Sequence, residues 1–72
     1  MLAPLSDTRR KILRAIVVSV EDRGFPPSVR ELCAETGLSS TSTVKHHLDW
    51  LVAEGYISRW ANRSRSIRVR KL

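Results

Sequence analysis

An α+β fold of three helices followed by a two-stranded β-hairpin is what the sequence predicts. Three observations predict it: apolar residues recur at helical spacing in three stretches before Gly55, the spacing changes to alternation after it, and glycine or proline marks the junctions. The chain has 72 residues, 42% of them hydrophobic and 28% charged, with three Gly and three Pro, the composition of one small folded domain over 1–72. So short a chain buries only roughly 60% of its unfolded surface, which disfavours a roomy, water-excluding catalytic pocket and hence an enzyme.

The first helix is expected at about 7–23, where Ile12, Leu13, Ile16, Val17 and Val20 form one apolar stripe and Val18 falls off it. Ser6 is its N-cap, Asp7 suits the positive end of the helix dipole, and Gly24-Phe25-Pro26-Pro27 stops the helix and turns the chain. The second is short, about 28–36: Ser28 and Glu31 make a capping box, and Val29, Leu32 and Cys33 supply an apolar face. Gly37 takes the positive φ of a tight turn, Leu38 plugs that turn, and the hydroxyl run from Ser39 to Thr43 offers several caps for a third helix at about 40–54. Val44, Leu48, Leu51 and Val52 lie on the inward side of this helix, and Gly55 closes it. Helix, short turn, helix is the helix-turn-helix pattern.

Beyond Gly55, Tyr56 to Trp60 and Ser66 to Arg70 alternate and are rich in β-branched and aromatic residues, so they read as two strands. The polar segment 61–65 joins them as a hairpin, a wing at about 56–70. The predicted architecture is therefore a winged helix-turn-helix.

Charge is distributed unevenly over these elements. Residues 1–54 balance seven bases against seven acids, whereas residues 55–72 hold six bases and no acid, so the whole excess of +6 lies in the last eighteen residues. Such a block is the electrostatic footprint of a polyanion partner, most often nucleic acid, the alternative being a solvated basic tail. Its place in a hairpin favours the former. A lone Cys33 makes no internal disulfide and reads as a small buried hydrophobe, and the adjacent His46 and His47 have no metal-ligand spacing, so neither metal nor cofactor is expected. No apolar run exceeds four residues, as from Ala15 to Val18, against roughly 20 for a bilayer span, and no charged-then-apolar leader is expected before it. The expectation is a soluble cytoplasmic protein, associated with the bacterial nucleoid and not with a membrane.

On the third helix the face opposite Val44 and Leu48 carries Ser42, Thr43, Lys45 and His46, the expected base-reading set. Small hydroxyls let the helix approach the duplex closely, while Lys45 and His46 donate to guanine O6/N7 or to phosphate. Ser40 is either a cap, a backbone contact or both. Asp49 faces outward, accepting from cytosine N4 or lying beyond the contact zone, and His47 is a packed or edge residue. Trp50 stacks on a sugar edge or covers neighbouring protein, and Trp60 anchors the wing to the body; packing is the preferred role for both. Arg63 and Arg65, with no acid near them in sequence, are expected on phosphate or in the minor groove, and Arg68 and Arg70 face away from the core, Arg68 as a backbone contact. Arg9, Arg10 and Lys11, in the first turn of the first helix, read as a solvated face.

Taken together, Leu5-Ser6, the run from Gly24 to Leu32, the run from Gly37 to Val44, and Glu54-Gly55-Tyr56-Ile57 resemble the N-terminal DNA-binding domain of LexA-type SOS repressors over about residues 5–70. The resemblance implies a homodimer on a palindromic double-stranded DNA operator upstream of DNA-damage-response genes, with the recognition helix in the major groove and the wing on the backbone. It maps the recognition contacts to Ser40, Ser42, Thr43, Lys45 and His46. Thr8, Asp49 and Trp50 depart from the family's usual residues, and the wing lacks a proline before its basic pair, which bears on operator sequence more than on fold. Such repressors continue into a dimerising, self-cleaving domain with a Ser-Lys dyad, on which a recombinase filament acts; no such dyad is present here, so the chain is expected to be a fragment of a longer repressor, or else a stand-alone reader, and in either case without peptidase activity. Two alternatives stand beside this reading: a winged-helix regulator of a metabolite or drug response, and a winged-helix protein-protein interaction module. Salt separates the last from the DNA readers, since phosphate contact by about six bases gives a slope of log K against log salt of roughly −5.

Overall fold

The computed structural model describes residues 5–60 and 65–70, and within them the element order is α1 (Asp7–Arg23), α2 (Val29–Thr36), α3 (Thr41–Ala53), β1 (Ile57–Ser58) and β2 (Arg68–Val69). The helices begin and end where local chemistry dictates. The Ser6 hydroxyl accepts from the Arg9 N–H at 3.2 Å, capping α1, and α2 opens with both halves of the Ser28–Glu31 box in place. Ser40 occupies the N-cap position of α3, yet its side chain makes no capping hydrogen bond. At the other end of α3, the Gly55 N–H reaches the Val52 carbonyl at 3.0 Å and the Tyr56 N–H reaches Leu51 at 2.9 Å, with Gly55 at φ 81°. This paired pattern is a Schellman turn, which only a residue at ease with positive φ completes. It swings Tyr56 and Ile57 back onto the core.

That core is drawn from all three helices and the hairpin: Ile12, Leu13 and Ile16 of α1, Leu32 of α2, Val44, Leu48 and Leu51 of α3, then Tyr56, Ile57 and Ile67. Cys33 and Leu38 are half-buried against it. Each fully buried aliphatic side chain contributes about 1.5–3 kcal/mol relative to exposure, so this cluster is what sets α3 at a fixed pitch against α1 and α2.

Three positions assigned to apolar stripes stand outside the core, and of these Val17 is half-buried. Val20 is 40% exposed because the buried stripe of α1 continues from Ile16 to Ser19, whose hydroxyl donates to the Phe25 carbonyl at 2.9 Å beneath the α1–α2 turn. Val52 is 38% exposed, since Val44, Leu48 and Leu51 already fill the inward line at i, i+4 and i+7 and the next residue points aside. Val18, expected off the stripe, is exposed.

The hairpin ladder is shorter than the alternating runs suggested. β1 and β2 pair antiparallel with Ile57 opposite Val69 and Ser58 opposite Arg68, extended by the Arg70 N–H to the Tyr56 carbonyl at 2.7 Å. At the level of Trp60 and Ser66, the Ser66 hydroxyl accepts from the Trp60 N–H at 3.0 Å and donates to its carbonyl at 2.8 Å. A side chain thus takes up backbone groups that a longer ladder would pair. Trp60 itself is 67% exposed and does not seat the wing on the body as expected. Tyr56, Ile57 and Ile67 do that instead.

Candidate nucleic-acid interface

With Val44 and Leu48 committed to the core, the opposite side of α3 faces out: Thr41, Ser42, Thr43, Lys45, His46 and Asp49 are all exposed. Ser42, Thr43, Lys45 and His46 therefore stand together on one outward surface, in the arrangement their spacing predicts. Ser40 is half-buried beside them, its hydroxyl not spent on the cap. Hydroxyls and one ammonium on a convex helical surface can donate and accept at base edges, and nothing bulky intervenes to hold the helix away from a groove.

Behind this face the next two rings are held by protein. The half-buried His47 accepts at Nδ1 from the Arg9 Nε at 3.2 Å, and the Arg9 guanidinium carbon lies 4.2 Å above the Trp50 ring. Trp50 in turn stacks on Tyr56 at 6.1 Å with planes 17° apart. Burial first, then the Arg9 charge and the neighbouring His46, push the His47 pKa below its ordinary 6.5. It accordingly serves as a neutral acceptor at Nδ1, with its proton on Nε2. Packing is the role preferred for His47 and Trp50 from sequence, and both pack. Arg9 differs from expectation: it is not a solvated base of the first turn but a strut between α1 and α3, a contact spanning 38 residues.

Among the wing residues, Arg68 and Arg70 are exposed, as alternation with Ile67 and Val69 requires. Arg63 lies outside the described residues. Arg65 has an acid beside it after all: its guanidinium meets Glu31 of α2, which is 34 positions away in sequence. Arg59, which the sequence reading left without a role, is half-buried, with Nη1 enclosed and no hydrogen-bond partner for that atom among the described residues. No helix among the described residues is long and apolar enough to cross a membrane, and no group of three or more His, Cys, Asp or Glu among them is placed to hold a metal ion.

Comparison with known proteins decides the family. The LexA DNA binding domain family matches residues 2–66. The chain belongs to the LexA DNA-binding domain family. Among similar proteins are the LexA repressor of Lactobacillus acidophilus, 51% identical over 65 residues that cover 89% of this chain and 31% of that protein, and LexA repressor 2 of Nocardia farcinica, 47% identical over 70 residues that cover 97% and 29%. The LexA repressor of Mycobacterium ulcerans is 48% identical over 66 residues, covering 92% of this chain and 27% of its own length. The chain thus spans about a third or less of the curated relatives it matches. In this LexA-family domain the helix-turn-helix is α2, the Gly37 turn and α3, and the wing is the β1–β2 hairpin.

Proposed function

We propose that the chain is the operator-reading part of a transcriptional repressor of DNA-damage-response genes. It binds palindromic double-stranded DNA as a homodimer, with α3 in the major groove. The observation that carries this reading is the joint exposure of Ser42, Thr43, Lys45 and His46 on one face of a helix whose other face is locked into the core. In this reading Lys45 and His46 donate to base edges, Ser42 and Thr43 bring the helix close, and Ser40, Arg63 and Arg68 fix the register on phosphates. Repression then follows from occupancy, since a dimer on two half-sites excludes other proteins from the promoter. Without a linked dimerising partner each domain binds weakly, because the effective concentration supplied by a covalent connection is missing.

Selection of bound duplexes from a random pool tests this. The expected product is a two-fold symmetric site with half-sites about one helical turn, or a multiple of it, apart. A pool that remains unenriched, or a binding constant independent of salt, contradicts it.

A further inference from the structure

Two arginines far apart in sequence converge on one carboxylate. Glu31 Oε1 accepts from the Ser28 N–H at 2.9 Å, as the capping box requires, and also from Arg65 Nη1 at 2.7 Å, while Oε2 accepts from Arg65 Nη2 at 3.1 Å and from Arg23 Nη1 at 3.3 Å. Arg65 Nη1 further donates to the Pro26 carbonyl at 3.2 Å. Both guanidiniums lie over the Phe25 ring, that of Arg65 at 4.8 Å and that of Arg23 at 5.1 Å, and Arg23 Nη2 is tied to the Ser19 hydroxyl at 3.2 Å. The backbone at Arg65 is as specific as its side chain, since among the described residues it alone, apart from glycines, has positive φ, at 56°. A non-glycine residue is held there only where its surroundings over-determine it.

We propose that Glu31 is the positioning residue of the wing: it latches Arg65, and with it the arm running into β2, onto the α1–α2 turn, so that the hairpin meets DNA at a fixed angle to α3. This rests on the DNA-binding reading above, and it reassigns Arg65 from phosphate ligand to latch. The bidentate fork, the carbonyl bond and the ring occupy the guanidinium on several sides. A phosphate that drew Arg65 away would leave the Glu31 carboxylate facing a second anion, which disfavours the exchange. Because the same carboxylate closes the capping box of α2, the start of the helix-turn-helix and the wing share one anchor point.

The test uses the 72-residue domain with and without a mixed-sequence 20-base-pair duplex. Glu31→Gln keeps a side chain that completes a capping box but loses the ionic fork. In the free protein, NMR relaxation should show the Arg65 guanidinium ordered in the wild type and mobile in Glu31→Gln, with faster motion of backbone amides 65–70 and unchanged amide shifts in α3. On the duplex, the charge-conserving pair Glu31→Gln with Arg65→Gln should bind about threefold to tenfold more weakly than wild type. Arg65→Gln alone should leave the salt slope unchanged. An Arg65 as mobile in the wild type as in the variant overturns the latch. So does a slope flattened by about 0.9 in Arg65→Gln, the mark of one lost phosphate contact. A wild-type domain that binds no duplex overturns the DNA reading and the positioning role with it, whereas duplex binding with a disordered Arg65 overturns the latch alone.

Discussion

Replacing Gly37 by alanine isolates the backbone cost of the helix-turn-helix turn. Gly37 sits at φ +77°, and a Cβ added there meets nothing within 4 Å, so the substitution creates no clash and its whole effect is conformational. An L-residue forced into the left-handed region loses about 1–2 kcal/mol. The restricted unfolded chain returns about 0.4–1 kcal/mol of that. The net loss is therefore centred on about 0.8 kcal/mol, against a total stability of roughly 4–11 kcal/mol for a domain of this size. Thermal unfolding followed by circular dichroism should show the midpoint falling by roughly 3–6 °C. Gly37→Asn should fall less, because asparagine tolerates this region better. Duplex affinity measured well below the midpoint should stay unchanged, since α2 and α3 keep their relative pose. An alanine variant as stable as wild type would refute the left-handed turn. A loss above about 3 kcal/mol would refute the open space around it, because conformational cost alone does not reach that figure.

Acid provides another set of tests. The Arg65 guanidinium and the Ser28 N–H, with the Arg23 charge added and partial desolvation opposing, hold the Glu31 carboxyl at about 2 instead of 4.5. A depressed carboxylate stabilises the fold fully above its unfolded value and loses that contribution as pH falls from about 4.5 toward 2. The wild-type advantage in melting temperature over Glu31→Gln should accordingly shrink across that window in low salt; an advantage that stays constant contradicts the ionic fork. His47 titrates in the same sense: its lowered value favours the neutral ring in the folded state, so stability falls as pH drops below 6.5. His47→Gln should remove that part of the pH dependence, and wild-type stability that rises on acidification would show that the half-buried ring is not an acceptor for Arg9. Truncating the fully buried Leu48 to alanine should cost about 2–5 kcal/mol by denaturant titration; a loss under about 1 kcal/mol would mean that α3 is not packed as described.

Much of the fold was legible because local rules and the tertiary structure agree. Ser6, the Ser28–Glu31 box, the Gly37 turn and the stripe of Val44, Leu48 and Leu51 each act within a few residues of chain, and each stands where spacing placed it. The outward set on α3 was readable for the same reason, since fixing the buried stripe of a helix fixes its exposed side. What escaped the sequence is non-local. Arg9 finds His47 and Trp50, and Arg65 finds Glu31, only after the helices have packed; a charge pattern along the chain shows neither pair. Ser19 was missed because a polar residue breaks an apolar stripe, although here it buries its hydroxyl to close the neighbouring turn. Trp60 was misplaced by the general tendency of large aromatics to bury, which the small apolar inventory of this hairpin, Tyr56, Ile57 and Ile67, satisfies without it.

Base preference, position by position, tests the central claim most directly. Duplex selections run in parallel on wild type, Lys45→Ala, His46→Ala and Arg68→Ala should give relaxed discrimination confined to particular base pairs for the two α3 variants, each worth about 1–3 kcal/mol per lost base contact. Arg68→Ala should retain the wild-type preference with affinity lowered alike on every sequence. If the wing substitution instead redirected base preference while Lys45 and His46 proved dispensable, α3 would not be the reading element.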